Sequence, residues 1–365
     1  MRTSYKILGA GPAGLTAAIN LRKKGYNVTV YEKNEGCGGR INGNLQGIEN
    51  WSSPKTMGQR LDSMNINPSF LLKPFYSTTF MNTERSVEAN SKKPWFYLIK
   101  RGAAQDSLDQ GLRRQAERCG VEIKFSTSAT AKDVDIVATG PRAGQLYAIE
   151  KTAIFETNLN DMALVLMGNQ FAHRGLSYLL VSDGYASLGS VNFGKFGDLE
   201  QCFNNTLKKF EQILGIKIKD YKVAGGVAGF SPSPTLVENG KFYIGEAAGL
   251  QDAGFGFGVS MSMESGYILS QVVDKPAPEE SYQNAIKKRF GNHIKSSVVI
   301  RYLLDKMGKN NYNDLINMLR KEEDLRDFFK GFYNFPPISR ILYPFLNKSS
   351  VIATDQHLVP SPFKV

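Results

Sequence analysis

The residues best placed to do chemistry lie in a loop near the start of the chain, Gly9-Ala10-Gly11-Pro12-Ala13-Gly14. Glycines at this spacing let backbone N–H groups close on an anion. Gly9 permits a tight turn, Gly11 leaves room for a pyrophosphate, and Gly14 lets the next helix pack on the preceding strand. Pro12 and Ala13 open that helix, whose N-terminus offers free N–H groups and the positive end of its dipole. Glu32 follows Gly9 by 23 residues, a spacing at which a carboxylate can accept hydrogen bonds from an adenosine ribose. An acid there disfavours a 2′-phosphate. Lys33 stands beside it. The chemistry is dinucleotide binding, and it needs a strand, a helix and a second strand to position it.

Those elements can be read in order. Residues 5–8 are a short apolar strand, and the helix after the loop carries Leu15, Ala18, Ile19 and Leu21. Arg22, Lys23 and Lys24 crowd its end, Gly25 stops it, and residues 28–31 form the second strand. A second glycine cluster follows, "NEGCGGRINGN" over 34–44, with Gly39 and Arg40 just past the ribose acid. "WFYLIKR", 95–101, reads as a strand ending at Arg101, and "VDIVATGP", 134–141, as a strand and turn at Gly140. Further on, the apolar run Phe242-Tyr243-Ile244 enters Gly245-Glu246. Gly256-Phe257-Gly258-Val259 then precedes a helix expected over about 259–273. So many glycines weaken a regular element and mark a backbone that something approaches closely.

Together these stretches resemble FAD-dependent oxidoreductases of the glutathione-reductase-like superfamily. The 34–44 loop resembles the segment that runs along the extended dinucleotide in that family. "GKFYIGEAAGLQDAGFGFGVSMSMESG" is similar to the second FAD motif of the geranylgeranyl-reductase-like and aromatic-hydroxylase-like branch, GDAAG followed by GxGxxxAxxSG. Glu246 takes the place of the family's Asp. The resemblance implies non-covalent FAD held by Gly9, Gly11, Pro12, Ala13, Gly14, Glu32, Lys33, Gly39, Arg40, Arg101, Gly140, Gly245, Glu246, Gly256, Gly258 and Val259. The helix from Val259 would aim its N-terminus at the flavin pyrimidine edge and favour negative charge there on reduction. The family's YxWxFP-like strand is degraded in "LSYLLVSDGYASLGSVNF", where Tyr178 survives without the Trp or Phe-Pro. No catalytic residue is assigned.

The fold class expected is α/β: a Rossmann-type FAD-binding domain with an inserted antiparallel β-sheet substrate domain and a helical C-terminal tail. The FAD-binding domain is drawn over 1–44, 95–150 and 224–275, the substrate domain over 45–94 and 151–223, and the helical region over 276–365. Residues of about 152–223 read as an antiparallel sheet of short β-rich runs, with a hairpin turn at Ser182-Asp183-Gly184 and a helix carrying Leu207, Phe210, Ile213 and Leu214 that stops at Gly215. A helix ending at Gly120 presents Leu108, Leu112, Ala116 and Cys119 on one face. Residues 45–94 carry no clear period and are grouped with the substrate domain.

Three widely spaced cysteines, Cys37, Cys119 and Cys202, and three histidines argue against a disulfide framework or a metal site and fit a reducing cytosol. No apolar run approaches the roughly 20 residues of a membrane span, and the early strand and glycine loop leave no room for a signal peptide. The chain is expected to be cytoplasmic. Net charge is +11, and residues 286–348 hold 13 Lys and Arg against 6 Asp and Glu, hence +7 of it. Phe328, Phe329, Phe332, Tyr333, Phe335, Tyr343 and Phe345 crowd the same tail. They are expected to pack on the FAD domain; the alternative is peripheral membrane contact. No second strand–GxGxxG–helix unit appears, so reductant would come transiently from NAD(P)H or from a protein donor. No nucleic-acid-binding module is present.

The reading is a flavin enzyme moving hydride between FAD and a small apolar or lipid-like alkene. The alternatives are an FAD-dependent monooxygenase or a non-catalytic flavin-bearing binding protein.

Overall fold

In the computed structural model, residues 3–346 are described apart from 42, 144 and 335. Strand β1 (Ser4–Leu8) buries Tyr5 and Ile7 and exposes Ser4 and Lys6. Its chain turns at Gly9 into α1 (Pro12–Lys23), whose residues Ala13 to Leu21 are all buried. β2 (Asn27–Tyr31) then pairs with β1 in parallel, Ile7 opposite Val30.

Four more strands complete this sheet. On the β2 side lies β8 (Glu122–Lys124), and on the other side β9 (Ile136–Val137), β16 (Lys241–Tyr243) and the antiparallel edge strand β15 (Val237–Glu238). α3 (Leu108–Arg118), capped by the Ser107 side chain, leads into β8 and buries Leu108, Leu112 and Ala116, while Cys119 caps its end half-buried. α5 (Val259–Val272) packs on α1, with Gly266 at their contact. A Cβ at Gly266 would stand 2.4 Å from the Ala13 carbonyl oxygen, so the helices meet only because that side chain is missing.

The second layer is a seven-stranded sheet. Its strands in spatial order are β14 (Lys222–Phe230), β10 (Leu146–Glu156), β13 (Tyr185–Asn192), β12 (Leu176–Ser182), β11 (Met162–Leu166), β5 (Ser77–Met81) and β6 (Ser86–Asn90). All pairs are antiparallel except β11 with β5. Asp183 (φ 51°) and Gly184 (φ 77°) form the two-residue β12–β13 turn, the left-handed pair that matches strand twist. α4 (Leu199–Leu214) covers one face and ends at Gly215, φ 65°.

A three-stranded antiparallel sheet, β3 (Leu45–Glu49), β7 (Phe96–Lys100) and β4 (Lys73–Phe75), joins the two layers. α2 (Met57–Ser63) begins with a capping box between Thr56 and Gln59. The chain then closes with α6 (Pro278–Met307), α7 (Asn313–Lys321), α8 (Leu325–Tyr333) and α9 (Pro337–Leu342).

Two boundaries drawn from sequence shift. β14 pairs with β10 from Lys222 opposite Ile154 to Phe230 opposite Leu146, so the line at 223/224 cuts a strand of the large sheet. β7, grouped with the dinucleotide-binding segments, bonds instead to β3 and β4 from 45–94. In the tail, Phe328, Phe329 and Tyr333 are core residues, whereas Phe345 is 78% exposed. Phe335 lies outside the described residues.

Candidate dinucleotide and substrate site

The first glycine loop has the geometry its spacing implies. Gly9 adopts φ 104°, and a Cβ there would stand 2.4 Å from the Ala138 carbonyl oxygen. A Cβ at Gly14 would stand 2.1 Å from the Gly9 oxygen. Gly11 differs: nothing lies within 4 Å of where its Cβ would be. The outer glycines are required by the protein's own packing, and the middle one borders open space. Pro12 is the first residue of α1, and Ala13 packs at its foot.

Glu32 reaches back under this loop. Its Oε2 accepts from the Ala10 N–H at 2.9 Å, and its Oε1 accepts from the Asn34 N–H and Nδ2 at 3.0 and 2.7 Å. Lys33 and Gly39 are exposed. Arg40 Nη2 donates to Glu246 Oε2 at 2.7 Å, spanning from the 34–44 loop to the second glycine motif. Gly140 (φ 85°) lies under that pair: a Cβ there would stand 2.4 Å from Arg40 Nη1. The other Glu246 oxygen accepts from the Gly229 N–H of β14 at 2.9 Å. Gly245 (φ 59°) abuts Ala13 and donates its N–H to Ser265 Oγ at 2.8 Å.

The structure therefore brings the first loop, Glu32, Arg40, Gly140 and Gly245-Glu246 into one neighbourhood. Gly256 (φ 81°) again borders open space. Gly258 precedes Val259, the first residue of α5, and a Cβ there would stand 1.3 Å from Gln251 Oε1. A side chain there would have to displace the end of the Gln251 side chain. Arg101 is placed differently. It is buried, with Nε and Nη2 on Asp109 at 2.9 and 3.0 Å and Nη1 on Gln46 Oε1 at 2.9 Å. It anchors the Gly102 turn, against which Gly38 and Gly43 pack. Arg101 bears on the site through that loop.

Cys37 sits in the same loop, buried, and burial pushes its thiol up to about 12, the opposite of an activated nucleophile.

Sequence reasoning missed a buried charge network under α5. Arg60 Nη2 donates to Glu49 Oε1 at 2.9 Å and to Glu264 Oε1 at 2.6 Å, while Arg289 Nε donates to Glu264 Oε2 at 2.6 Å. Ser260, in the first turn of α5, donates to Glu49 Oε1 at 2.5 Å. Burial would raise the Glu49 carboxyl, but Arg60 and the hydrogen bonds win and hold it at about 2. Behind the second motif, Tyr333 Oη donates to Asp252 Oδ2 at 2.8 Å, and the buried ring of His293 lies 4.5 Å from the Tyr333 ring. Burial holds His293 below the usual imidazole range. Helical spacing alone could have flagged Arg289 and His293, four residues apart on α6; no local signal pairs Arg60 with Glu264.

An aromatic wall stands beside Phe257. Trp51 lies 4.9 Å from Phe257 edge-on, and 5.5 and 4.9 Å from Trp95 and Phe329. Leu180 of the large sheet packs against this wall, two residues from Tyr178 along β12.

A fold of this kind, with a glycine loop and an acid at the end of the second strand, defines a dinucleotide-binding protein. The family described as NAD(P)-binding Rossmann-like domain matches residues 7–48. The solved structure of a geranylgeranyl bacteriochlorophyll reductase-like protein from Thermoplasma acidophilum superposes with a TM-score of 0.72 at 16% identity, covering 95% of this chain and all of that one. A flavin-dependent brominase superposes at 0.62, with 19% identity over 91% of this chain and 94% of its own. In sequence, the chain is 21% identical to digeranylgeranylglycerophospholipid reductase 1 of Methanococcoides burtonii over 90% of this chain and 91% of that protein. A 35-residue stretch is 57% identical to a 1-hydroxycarotenoid 3,4-desaturase from Flavobacterium sp., which is 10% of this chain and only 7% of that protein. The fold is thus that of flavin-dependent oxidoreductases, as expected.

Proposed function

We propose that this chain is an FAD-dependent oxidoreductase of the geranylgeranyl-reductase-like branch of the glutathione-reductase-like superfamily. It transfers hydride between flavin and an apolar or lipid-linked alkene. One observation carries the reading: two glycine-led helices, α1 and α5, pack on each other, and Gly11 and Gly256, just ahead of their N-termini, both border free space. That cradle fits a dinucleotide with two phosphates and an extended flavin end. Gly11, Pro12 and Ala13 would hold the pyrophosphate, Glu32 the adenosine ribose, and Arg40 with Glu246 the middle of the cofactor. Gly258 and Val259 would face the pyrimidine edge. Bound FAD supplies the hydride chemistry; the chain supplies binding, orientation and an apolar wall at Trp51, Phe257 and Leu180.

The purified protein is expected to be yellow and to release FAD on acid precipitation. After chemical reduction it should saturate a digeranylgeranyl glycerophospholipid, detected as a mass gain of two hydrogens per double bond. A colourless protein that FAD cannot reconstitute refutes the reading. The likeness to a brominase supports an oxygen-using alternative, which predicts substrate-coupled oxygen consumption instead. The reductant would be NAD(P)H or a protein donor.

Peripheral contact with an anionic membrane would bring such a lipid to the site. Supporting it, Ile338, Ile341 and Phe345 recur at helical spacing with exposures of 49, 63 and 78%, in the segment holding most of the net charge. Among the described residues no helix is long and apolar enough to cross a membrane. Binding to anionic liposomes should fall as salt rises.

A further inference from the structure

One face of the seven-stranded sheet carries a polar pair that the candidate cofactor site does not use. Along β10, Ile149, Lys151 and Ala153 face α4, where Lys151 pairs with Glu200. Ala148, Glu150 and Thr152 point the other way, and Ala148 clusters with Ala253 of the second glycine motif. On this inner face Tyr178 of β12 leans across Gly189 of β13. A Cβ at Gly189 would stand 2.6 Å from the Tyr178 ring, so the glycine makes room for it. Tyr178 Oη is hydrogen-bonded to Glu150 Oε1 and lies 3.4 Å from Thr152 Oγ1. Asn44, at the end of the 34–44 loop, reaches Thr152 Oγ1 at 3.4 Å, and its buried Oδ1 has no partner among the described residues.

The pair is deep in the protein, yet both side chains keep accessible surface. They line an internal crevice. The groups facing Glu150 are Tyr178, Thr152 and the backbone of Gly226, whose Cβ would lie 3.9 Å from Glu150 Oε2. The crevice lies between the 34–44 loop, through Asn44, and Glu246, which bonds to Gly229 on β14 beside β10. Both edges of this polar face thus touch the candidate cofactor site.

We propose that Tyr178 is the proton donor for alkene reduction, with Glu150 behind it as the positioning residue that holds and returns the proton. This rests on the reductase reading above. Saturating a C=C bond breaks one π bond and forms two C–H bonds, one from hydride and one from a proton. The hydride comes from the reduced dinucleotide cofactor, which is oxidised by two electrons. The proton comes from the Tyr178 O–H bond. Glu150, as a carboxylic acid, then reprotonates the phenolate and is itself recharged from water through the crevice.

The chemistry suits the surroundings. Burial raises the Glu150 carboxyl, and the hydrogen bonds from Tyr178 and Thr152 oppose it. Burial and the neighbouring carboxylate raise Tyr178 well above its ordinary value. Burial thus acts on both groups in the direction of the protonated form. When Glu150 is protonated, its O–H donates to Tyr178 Oη and leaves the phenol proton free to turn to the crevice.

Two measurements test this. Infrared spectra at pH 7 should show a protonated-carboxyl stretch in the wild type that is absent from Glu150→Gln and shifted in Tyr178→Phe. Chemically reduced protein given digeranylgeranyl glycerophospholipid should show a single-turnover rate about 100-fold lower in Tyr178→Phe, the scale of a lost general acid. FAD content and dithionite reduction should be unchanged in that variant. Absence of the infrared band, or an unchanged single-turnover rate, overturns the assignment. If the wild type saturates no such lipid, the reductase reading falls and the donor role falls with it. The infrared band decides the charge state of the pair in either case.

Discussion

Glu49→Gln tests how the buried charge network supports the second glycine motif. The substitution keeps the shape of the side chain and removes its charge. Arg60 and Ser260 then lose a charged acceptor, while Glu264 still pairs with Arg60 and Arg289. The Glu49 carboxyl is lowered from 4.5 to about 2, and each unit corresponds to about 1.36 kcal/mol of differential interaction. The charged form therefore contributes about 3 kcal/mol, on the scale for breaking a buried ion pair. Because the folded pKa is depressed, this stability is present above pH 4.5 and is lost as pH falls toward about 2. Urea unfolding at pH 7 should show the variant less stable by about 3 kcal/mol. Between pH 5 and 3, wild-type stability should decline more steeply than that of the variant. Parallel declines with equal stability at pH 7 would refute the reasoning and make the network electrostatically neutral.

Gly11→Val should fold with a melting temperature close to the wild type, since no atom lies within 4 Å of its Cβ position, and yet lose FAD absorbance. Gly14→Ala should lose stability outright, because its Cβ would stand 2.1 Å from the Gly9 oxygen; equal melting of the two variants would refute this contrast. Glu32→Ala should weaken FAD by roughly 1.5–3 kcal/mol, the scale for hydrogen bonds to a charged group, measured by titration of apoprotein. Cys119, half-buried, should react with a thiol reagent at pH 8 before Cys37, whose thiol sits at about 12, as peptide mapping would show.

The parts of this fold legible in the sequence are those governed by local rules. The loop at Gly9 to Gly14, the Asp183-Gly184 turn and the stop at Gly215 all depend on backbone angles that few residues allow, and the structure contains them where they were expected. The helix from Val259 was also readable, through the resemblance of Gly256 to Val259 to a family glycine turn that precedes a helix. β14 was obscured by its own composition: "KVAGGVAGF" has little strand propensity, and only the neighbouring β10 holds it extended. Residues 45–94 were opaque because their strands join two different sheets. Arg101 was named through the family resemblance, and nothing in the sequence signalled that Asp109, eight residues on in the first turn of α3, would take its guanidinium. Arg60 and Glu264 lie 204 residues apart, beyond any local pattern.

The contact between α1 and α5 has a consequence for synthesis. α1 is made long before its partner α5, which ends at Val272. About 260 residues separate Pro12 from Val272, which at roughly 5–20 residues per second is about 13–52 s of elongation. Through that interval α1 can pack on β1, β2 and α3, but the side of it that meets α5 has no native cover, and β1 still awaits β9. The α1–α5 contact is therefore a late, long-range one, formed only after the strands and helices between them have been made.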